Sequence, residues 1–315
     1  MKKIRIGVVG IGHLGNYHLQ KYGKIEDCII SGVCDIDEDR AMKAAELYGC
    51  RAVRDHRDLV SSVDAVSISV PTLFHYGIAK DFLSAGVDVL LEKPMTSTLE
   101  EADDLIAAAR KQHALLQIGF VERFNPAIAA LSGVIKQPLF IESHRLHPFF
   151  NRGTDIDVIL DLMIHDLDIV LHFVGSPTVS VDAAGAAILS DKVDIGNARI
   201  TFENGCVANI TASRVTANKL QKIRFFGTEG YHSVDYGKRE LLSLHRRIDS
   251  DGKPQIEHTP VVVENYDPLE AEIRSFVGAV RTRERPAVSG EDGRASLDLA
   301  LQIVDKIKVT MERIR

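Results

Sequence analysis

The 315-residue chain has few cysteines, no long apolar run and no surplus of basic charge. Its four cysteines, Cys28, Cys34, Cys50 and Cys206, lack metal-ligand spacing and read as reduced packing residues, which suits a cytoplasmic protein. No stretch is long enough to cross a bilayer. The opening Met-Lys-Lys turns apolar like a secretion signal, but the run is short, broken by glycines and followed by no cleavage-like segment. A net charge of −6 with scattered basic residues leaves no footprint for nucleic acid. The one basic cluster, Arg281-Thr-Arg-Glu-Arg285, reads as a solvated helix end beside Pro286. Internal repeats and low-complexity tracts are absent too. What is present is an ordinary globular composition, 45% hydrophobic, on a chain long enough for two domains.

Up to about residue 121, strand and helix patterns alternate, which predicts a parallel α/β sheet with crossover helices. The strand candidates are Ile4–Val9, Ile29–Cys34, Ala65–Val70, Val87–Leu91 and Leu115–Ile118, with a short addition at Ala52–Val53. Helical stretches fall at 14–23, 38–48, 74–85 and 98–112, the last capped by Thr98. From residue 122 the pattern becomes α+β, around a mostly antiparallel open sheet. A short helix is expected over Pro126–Ile135, a strand over Phe140–Arg145 and a longer helix over Asp155–Val174. Strand-like runs follow at Val179–Ala183, Ile195–Phe202, Val207–Arg214, Lys222–Phe226, Tyr231–Asp235 and Glu240–Leu244. Asn204-Gly205 signals a hairpin, and residues 246–260 read as a mobile polar loop. Helices around Pro268–Thr282 and Asp292–Glu312 close the chain. The expected domains are therefore 1–121 and 122–315.

The first strand runs straight into Gly10-x-Gly12-x-x-Gly15. Gly10 allows a tight turn, Gly12 lets backbone approach a pyrophosphate, and Gly15 lets the helix pack on the strand. His13 and Leu14 open that helix, whose free N–H groups would face the phosphates. Asp35 ends the second strand 20 residues past Gly15, where a carboxylate accepts hydrogen bonds from an adenosine ribose. Strand, glycines, helix, strand and acid in that order predict a Rossmann dinucleotide site rather than a merely glycine-rich turn.

In the second half, Asp157, Asp161, His165, Asp168 and His172 recur within an arc of about 80° on an otherwise apolar helix; Asp166 points the other way. The stripe faces either solvent or a ligand, because unpaired buried charge is costly. Asp161 and His165, at i and i+4, suit a carboxylate-oriented general acid/base. A metal site from Asp161, His165, His144 and His147 is the weaker alternative, and no metal is expected.

Glu92-Lys93-Pro94 ends another predicted parallel strand, where ligands of open α/β sheets bind. A lysine there, beside an oxidised nicotinamide, would lose proton affinity and exchange a hydrogen bond with a substrate hydroxyl. In Val70-Pro71-Thr72-x-x-His75 the turn and Thr72 would line the nicotinamide ribose, while His75 either joins them or opens the next helix. Arg123 and Asn125, in Gly119-Phe-Val-Glu-Arg-Phe-Asn-Pro126, either face the interdomain cleft or fix the crossover.

Taken together these segments resemble the Gfo/Idh/MocA family of NAD(P)-dependent oxidoreductases. The matching pieces are Gly10-x-Gly12-x-x-Gly15, Cys34-Asp35-x-Asp37-x-x-Arg40-Ala41, Val70-Pro71-Thr72-x-x-His75, Glu92-Lys93-Pro94, Gly119-Phe120-x-x-Arg123-Phe124-x-Pro126 and Asp161-x-x-x-His165-Asp166. Gly227-Thr228-Glu229-Gly230 and Ser289-Gly290-Glu291-Asp292-Gly293 also fit. The resemblance implies a nicotinamide-binding domain joined to an α/β domain whose open sheet often makes an oligomer interface, a dimer or tetramer. It implies that Lys93 and His165 are catalytic with Asp161 assisting, on a carbinol carbon of a sugar, cyclitol or sugar nucleotide. Asp35 favours NAD; nearby Arg40 leaves NADP open. The run from Ser143 to Thr154 leading into Asp161 is similar to members that oxidise UDP-N-acetylglucosamine at its 3-hydroxyl. On that resemblance, Arg145 and Arg152 would bind a diphosphate bidentately. The alternatives are redox-assisted glycoside cleavage with recycled NAD, a non-catalytic nucleotide sensor, or reduction of an unrelated small molecule.

Overall fold

The computed structural model describes residues 2–149 and 156–312. It divides into two compact units, residues 1–121 with 267–297, and residues 122–266 with 298–315. The expected run 122–315 is thus interrupted. Ile273, Phe276, Val277 and Val280 of helix α7 (Pro268–Thr282) join the apolar core built on the first strands, and that burial returns the segment to the first unit.

In the first unit six parallel strands, β1 (Ile4–Val9), β2 (Cys28–Cys34), β3 (Arg51–Val53), β4 (Ala65–Ile68), β5 (Asp88–Glu92) and β6 (Leu116–Gly119), take the order β3-β2-β1-β4-β5-β6. Residues of β4 and β5 are buried at every position, as in a parallel sheet covered on both faces. The order reverses between β1 and β4, and this switch point opens a crevice at the carboxyl ends of the strands. Helices α1 (His13–Tyr22), α2 (Glu38–Tyr48), α3 (His75–Ser84) and α4 (Leu99–Gln112) connect the strands. Thr98 caps α4 as expected, its hydroxyl accepting from the Glu101 N–H at 3.3 Å. All four cysteines are free. Burial pushes the thiols of Cys28, Cys34 and Cys206 up to about 11, 12 and 11, so they remain protonated packing groups. The Arg281–Arg285 cluster is not simply solvated. Arg281 donates to Asp27, and Arg283 holds buried Asp88 and the His113 carbonyl.

The second unit is built on β7 (Phe140–Leu146), β8 (Thr178–Ala186), β9 (Ile195–Phe202), β10 (Val207–Ser213), β11 (Leu220–Gly227), β12 (Gly230–Asp235), β13 (Glu240–Ile248) and β14 (Pro254–His258). Their order is β14-β13-β12-β11-β7-β10-β9-β8, antiparallel except between β7 and β10. Gly205, at φ +85°, turns the expected β9–β10 hairpin. Residues 246–260 do not form the expected loop: β13 extends to Ile248 and pairs with β14 across a turn built on the Asp249 carboxylate. Every residue of β14 is exposed, so this edge strand carries no apolar alternation to reveal it.

Two expected helices also differ. Helix α5 covers only Pro126–Ala129, and the chain then turns through Gly133 at φ +79°. The Asp155–Val174 helix begins with a π-helical turn, Ile159–Met163, before α6 (Ile164–Val174). Asp155 lies outside the described residues. The last helix, α8, covers Gly290–Glu312. Among the described residues no helix is long and apolar enough to cross a membrane.

Asp194 organises the connection before β9. Its buried carboxylate accepts from the N–H groups of Ile188, Leu189 and Ser190, from the Ser190 hydroxyl and from Arg214 Nε. Burial opposes this charge, but Ser190, Arg214 and the backbone donors outweigh it and hold the carboxyl well below the usual range. Asp194→Ala should therefore cost about 3–5 kcal/mol, because Arg214 loses its buried counter-ion. The native pKa lies below the unfolded value, so the deficit should be full at neutral pH. It should shrink as pH falls below about 4 toward the native pKa. Urea melts of both proteins between pH 3 and 7 check this.

Candidate active site

Gly10 adopts φ +87°, and a Cβ there would lie 2.7 Å from the Ser69 carbonyl oxygen. A Cβ on Gly15 would lie 1.8 Å from the Gly10 carbonyl oxygen, so helix and strand approach too closely for any side chain. Gly12 differs: nothing lies within 4 Å of its Cβ position. Here α1 begins with no side-chain cap on its N-terminal N–H groups, with His13 exposed and Leu14 half-buried. An open glycine in front of uncapped helix donors fits a pyrophosphate, whose charge the helix terminus favours.

At the end of β2, Asp35 is buried and oriented from both sides. Its Oδ2 accepts from the Ile11 N–H at 2.6 Å and its Oδ1 from the Asp37 N–H at 2.9 Å. Arg40 Nη1 lies 3.4 Å from Oδ2 while its side chain stays half-exposed. The carboxylate thus has a fixed direction at the position where a ribose diol would sit.

Beyond β4, Pro71 is exposed and half-buried Thr72 opens a short 3₁₀ turn, Thr72–Phe74. His75 does not join them as a ligand-facing side chain. It is buried, with Nδ1 2.9 Å from the Pro94 carbonyl and Nε2 2.9 Å from the Val70 carbonyl. Glu92 is likewise turned inward. Its carboxylate lies against Gly119, where a Cβ would come within 2.8 Å, and 3.2 Å from the Nε2 of buried His18. Lys93, half-buried, follows directly at the carboxyl end of β5. The Glu-Lys pair therefore divides between core and crevice edge.

In the second unit, half-buried Asp161 belongs to the π-helical turn, and half-buried His165 follows four residues later in the first turn of α6. Single π-helical turns are frequent at functional sites. The remaining members of the expected stripe are structural. Asp157 precedes the helix and accepts from the Val193 N–H. Asp168 is buried and takes both Nε and Nη2 of Arg123, at 2.7 and 2.9 Å. His172 accepts from Arg123 Nη1 through Nδ1, which puts the proton of its neutral ring on Nε2.

Three expected substrate-binding residues take other roles. Arg145 is buried: Nε and Nη2 donate to Asp166, Nη1 donates to Glu122, and the guanidinium lies 4.7 Å from the Tyr236 ring centroid. Burial opposes its charge, but Asp166 and Glu122 outweigh it and raise its proton affinity, so the guanidinium is spent inside the fold. Arg123 is spent on Asp168. Asn125 caps α5, accepting from the Ala127 N–H and donating to Glu122 and the Tyr236 carbonyl. Arg152 lies outside the described residues. Among the described residues no cluster of three or more His, Cys, Asp or Glu side chains could hold a metal ion. The alternative set of Asp161, His165, His144 and His147 is therefore not assembled.

Sequence reasoning missed His18 behind Glu92. Its signal was the inward face of α1, where Gly15, His18, Leu19 and Tyr22 are the buried positions.

Comparison with known proteins covers nearly the whole chain. Residues 4–120 match the oxidoreductase family with an NAD-binding Rossmann fold, and residues 132–233 match the GFO/IDH/MocA C-terminal domain. The chain is 40% identical to a UDP-N-acetylglucosamine 3-dehydrogenase from Acidithiobacillus ferrooxidans, over 99% of this chain and 100% of that one. A solved structure of that enzyme superposes with a TM-score of 0.92, covering 98% of this chain and 99% of the other. The myo-inositol 2-dehydrogenase of Thermotoga maritima is 27% identical over 99% of both chains. A levoglucosan dehydrogenase in complex with NADH and levoglucosan shares the fold at 20% identity, with a TM-score of 0.85 over 97% of each chain. On its two-part domain match and its full-length relative, the chain belongs to the Gfo/Idh/MocA family of oxidoreductases.

Proposed function

We propose that the protein is an NAD-dependent dehydrogenase that oxidises the 3-hydroxyl of UDP-N-acetylglucosamine. The observation that carries this reading is the full-length similarity to an enzyme of that name, 40% identical against 27% for the inositol enzyme. The oriented Asp35 carboxylate supports NAD, because it would repel a 2′-phosphate. Gly10–Gly15 would hold the pyrophosphate of NAD, and the bound nicotinamide would supply the hydride acceptor for the carbinol carbon. His165, oriented by Asp161, takes the hydroxyl proton, so that loss of proton and hydride leaves a ketone. Lys93 donates to the same oxygen and stabilises the negative charge developing on it. Thr72 and Pro71 line the nicotinamide end, and the domain carrying β7–β14 binds substrate and assembles the oligomer.

Purified protein with NAD and UDP-N-acetylglucosamine should produce NADH, and myo-inositol or simple hexoses should produce much less. Turnover confined to myo-inositol would overturn the substrate. Product without net NADH would instead favour the glycosidase alternative. His165→Ala should lower kcat by about two orders of magnitude or more while NAD still binds, because only the proton acceptor is lost. Stopped-flow turnover and a cofactor titration read the two quantities separately. Asp35→Ser should lower kcat/KM for NAD by about ten- to a hundredfold, the worth of hydrogen bonds to a charged acceptor. The NADP to NAD preference ratio should rise with it, since Arg40 remains. An unchanged ratio would remove Asp35 from cofactor selection.

A further inference from the structure

Two backbone segments leave the carboxyl edge of the first sheet beside its switch point. One is Val70-Pro71-Thr72 after β4, the other Lys93-Pro94 after β5. A single side chain spans them. His75 opens α3, is 1% exposed, and places Nδ1 2.9 Å from the Pro94 carbonyl and Nε2 2.9 Å from the Val70 carbonyl. Neither contact is needed to start the helix, because a cap works through the N-terminal N–H groups and these two acceptors belong to loops. Each nitrogen instead faces a loop carbonyl, so a neutral ring ties one of the two loops by a hydrogen bond and spaces the other, and a protonated ring ties both.

We propose that His75 is a positioning residue for Lys93, holding the Lys93-Pro94 backbone in fixed register against the Val70–Thr72 segment. This rests on the catalytic role assigned to Lys93 above. The ring is planar and rigid, so its two nitrogens set the distance between the two carbonyls. A neutral imidazole has one N–H and serves one carbonyl as donor; the protonated ring serves both. Burial pushes the ring toward the neutral form, against the two carbonyls and Glu92. Lys93, one residue from the tied carbonyl, also opposes a charge on the ring. Loss of the tie would leave the cofactor's phosphates and ribose on Gly12 and Asp35, while the amine next to Pro94 loses its fixed origin. A misplacement of about 1 Å at such a group is worth about a hundredfold in rate.

The test is a double-mutant cycle. His75→Phe fills the space without donors, and His75→Asn keeps one donor. Lys93→Met removes the amine. In the Lys93 background of the native protein, His75→Phe should lower kcat about thirtyfold and leave the NAD dissociation constant within about threefold; His75→Asn should recover part of the loss. In the Lys93→Met background the same His75→Phe change should lower single-turnover rates less than about threefold, because the group it positions is gone. Equal losses in both backgrounds, or an unchanged kcat in His75→Phe and His75→Asn alike, would overturn the assignment. So would a His75→Phe protein too unstable to purify together with a His75→Asn protein of native kcat. Native turnover in Lys93→Met alone is a separate result, and it would overturn the role of Lys93 itself.

Discussion

Asp166 directly follows His165 and has no access to solvent; both of its oxygens meet Arg145. Two charges taken out of water cost several kcal/mol each, and only well-formed hydrogen bonds return that cost. Arg145 supplies them from β7 and adds a third to Glu122, while Ser143 on the same strand donates to Asp166 Oδ1. The consequence is directional. A helix held by apolar contacts alone can rotate or slide by a fraction of a turn, but a bidentate buried pair has one satisfactory geometry. Two residues further on, Asp168 is held the same way by Arg123. The segment that presents His165 is therefore clamped on two faces, and His165 takes its direction from its neighbours.

The nucleotide end of the first unit works by exclusion. Gly15 is required because its Cβ position coincides with the Gly10 carbonyl, and Gly10 because its backbone has positive φ. Only at Gly12 does the missing side chain leave open space. Two glycines bring the helix onto the strand and one keeps a place for a ligand. Asp35 is then directed by the Ile11 N–H, from inside the same turn. The turn that leaves Gly12 open also aims the Asp35 carboxylate, so under the proposed function the phosphate and ribose contacts are fixed together.

Strands such as Ile4–Val9 and Ile195–Phe202, and helix Pro268–Thr282, are legible to the residue. Their apolar periods end at glycine, Asn-Gly or an Asp-Pro start. The polar edge strand Pro254–His258 is not legible, because hydrogen bonding to β13 holds it without a buried face. The glycine cradle and the Asp161–His165 spacing can be read directly, since both depend on local geometry. The partners of Arg145, Arg123 and Asn125 cannot. An arginine in a strand is equally consistent with a diphosphate and with a buried carboxylate until the register between β7 and α6 is known. Glu92 and His75 mislead for a related reason: motif membership does not say which way a side chain turns.

The five-residue stripe shows how much that distinction matters. Regular 3.6-residue spacing puts Asp157, Asp161, His165, Asp168 and His172 on one face and invites one function for all. The π turn at Ile159–Met163 breaks that regularity, and the five separate into three jobs. Asp157 ties the Val193 backbone, and Asp168 with His172 holds Arg123. Asp161 and His165 straddle the junction between π turn and α-helix. An extra residue in a helix turn strains its ladder and is retained only where the surroundings enforce it. Here the Arg145–Asp166 and Arg123–Asp168 pairs supply that enforcement immediately after the turn. Arg145, expected to bind a diphosphate, and Arg123, expected at the cleft or the crossover, are better understood as what keeps an irregular helix start, and the acid–histidine pair on it, in one shape.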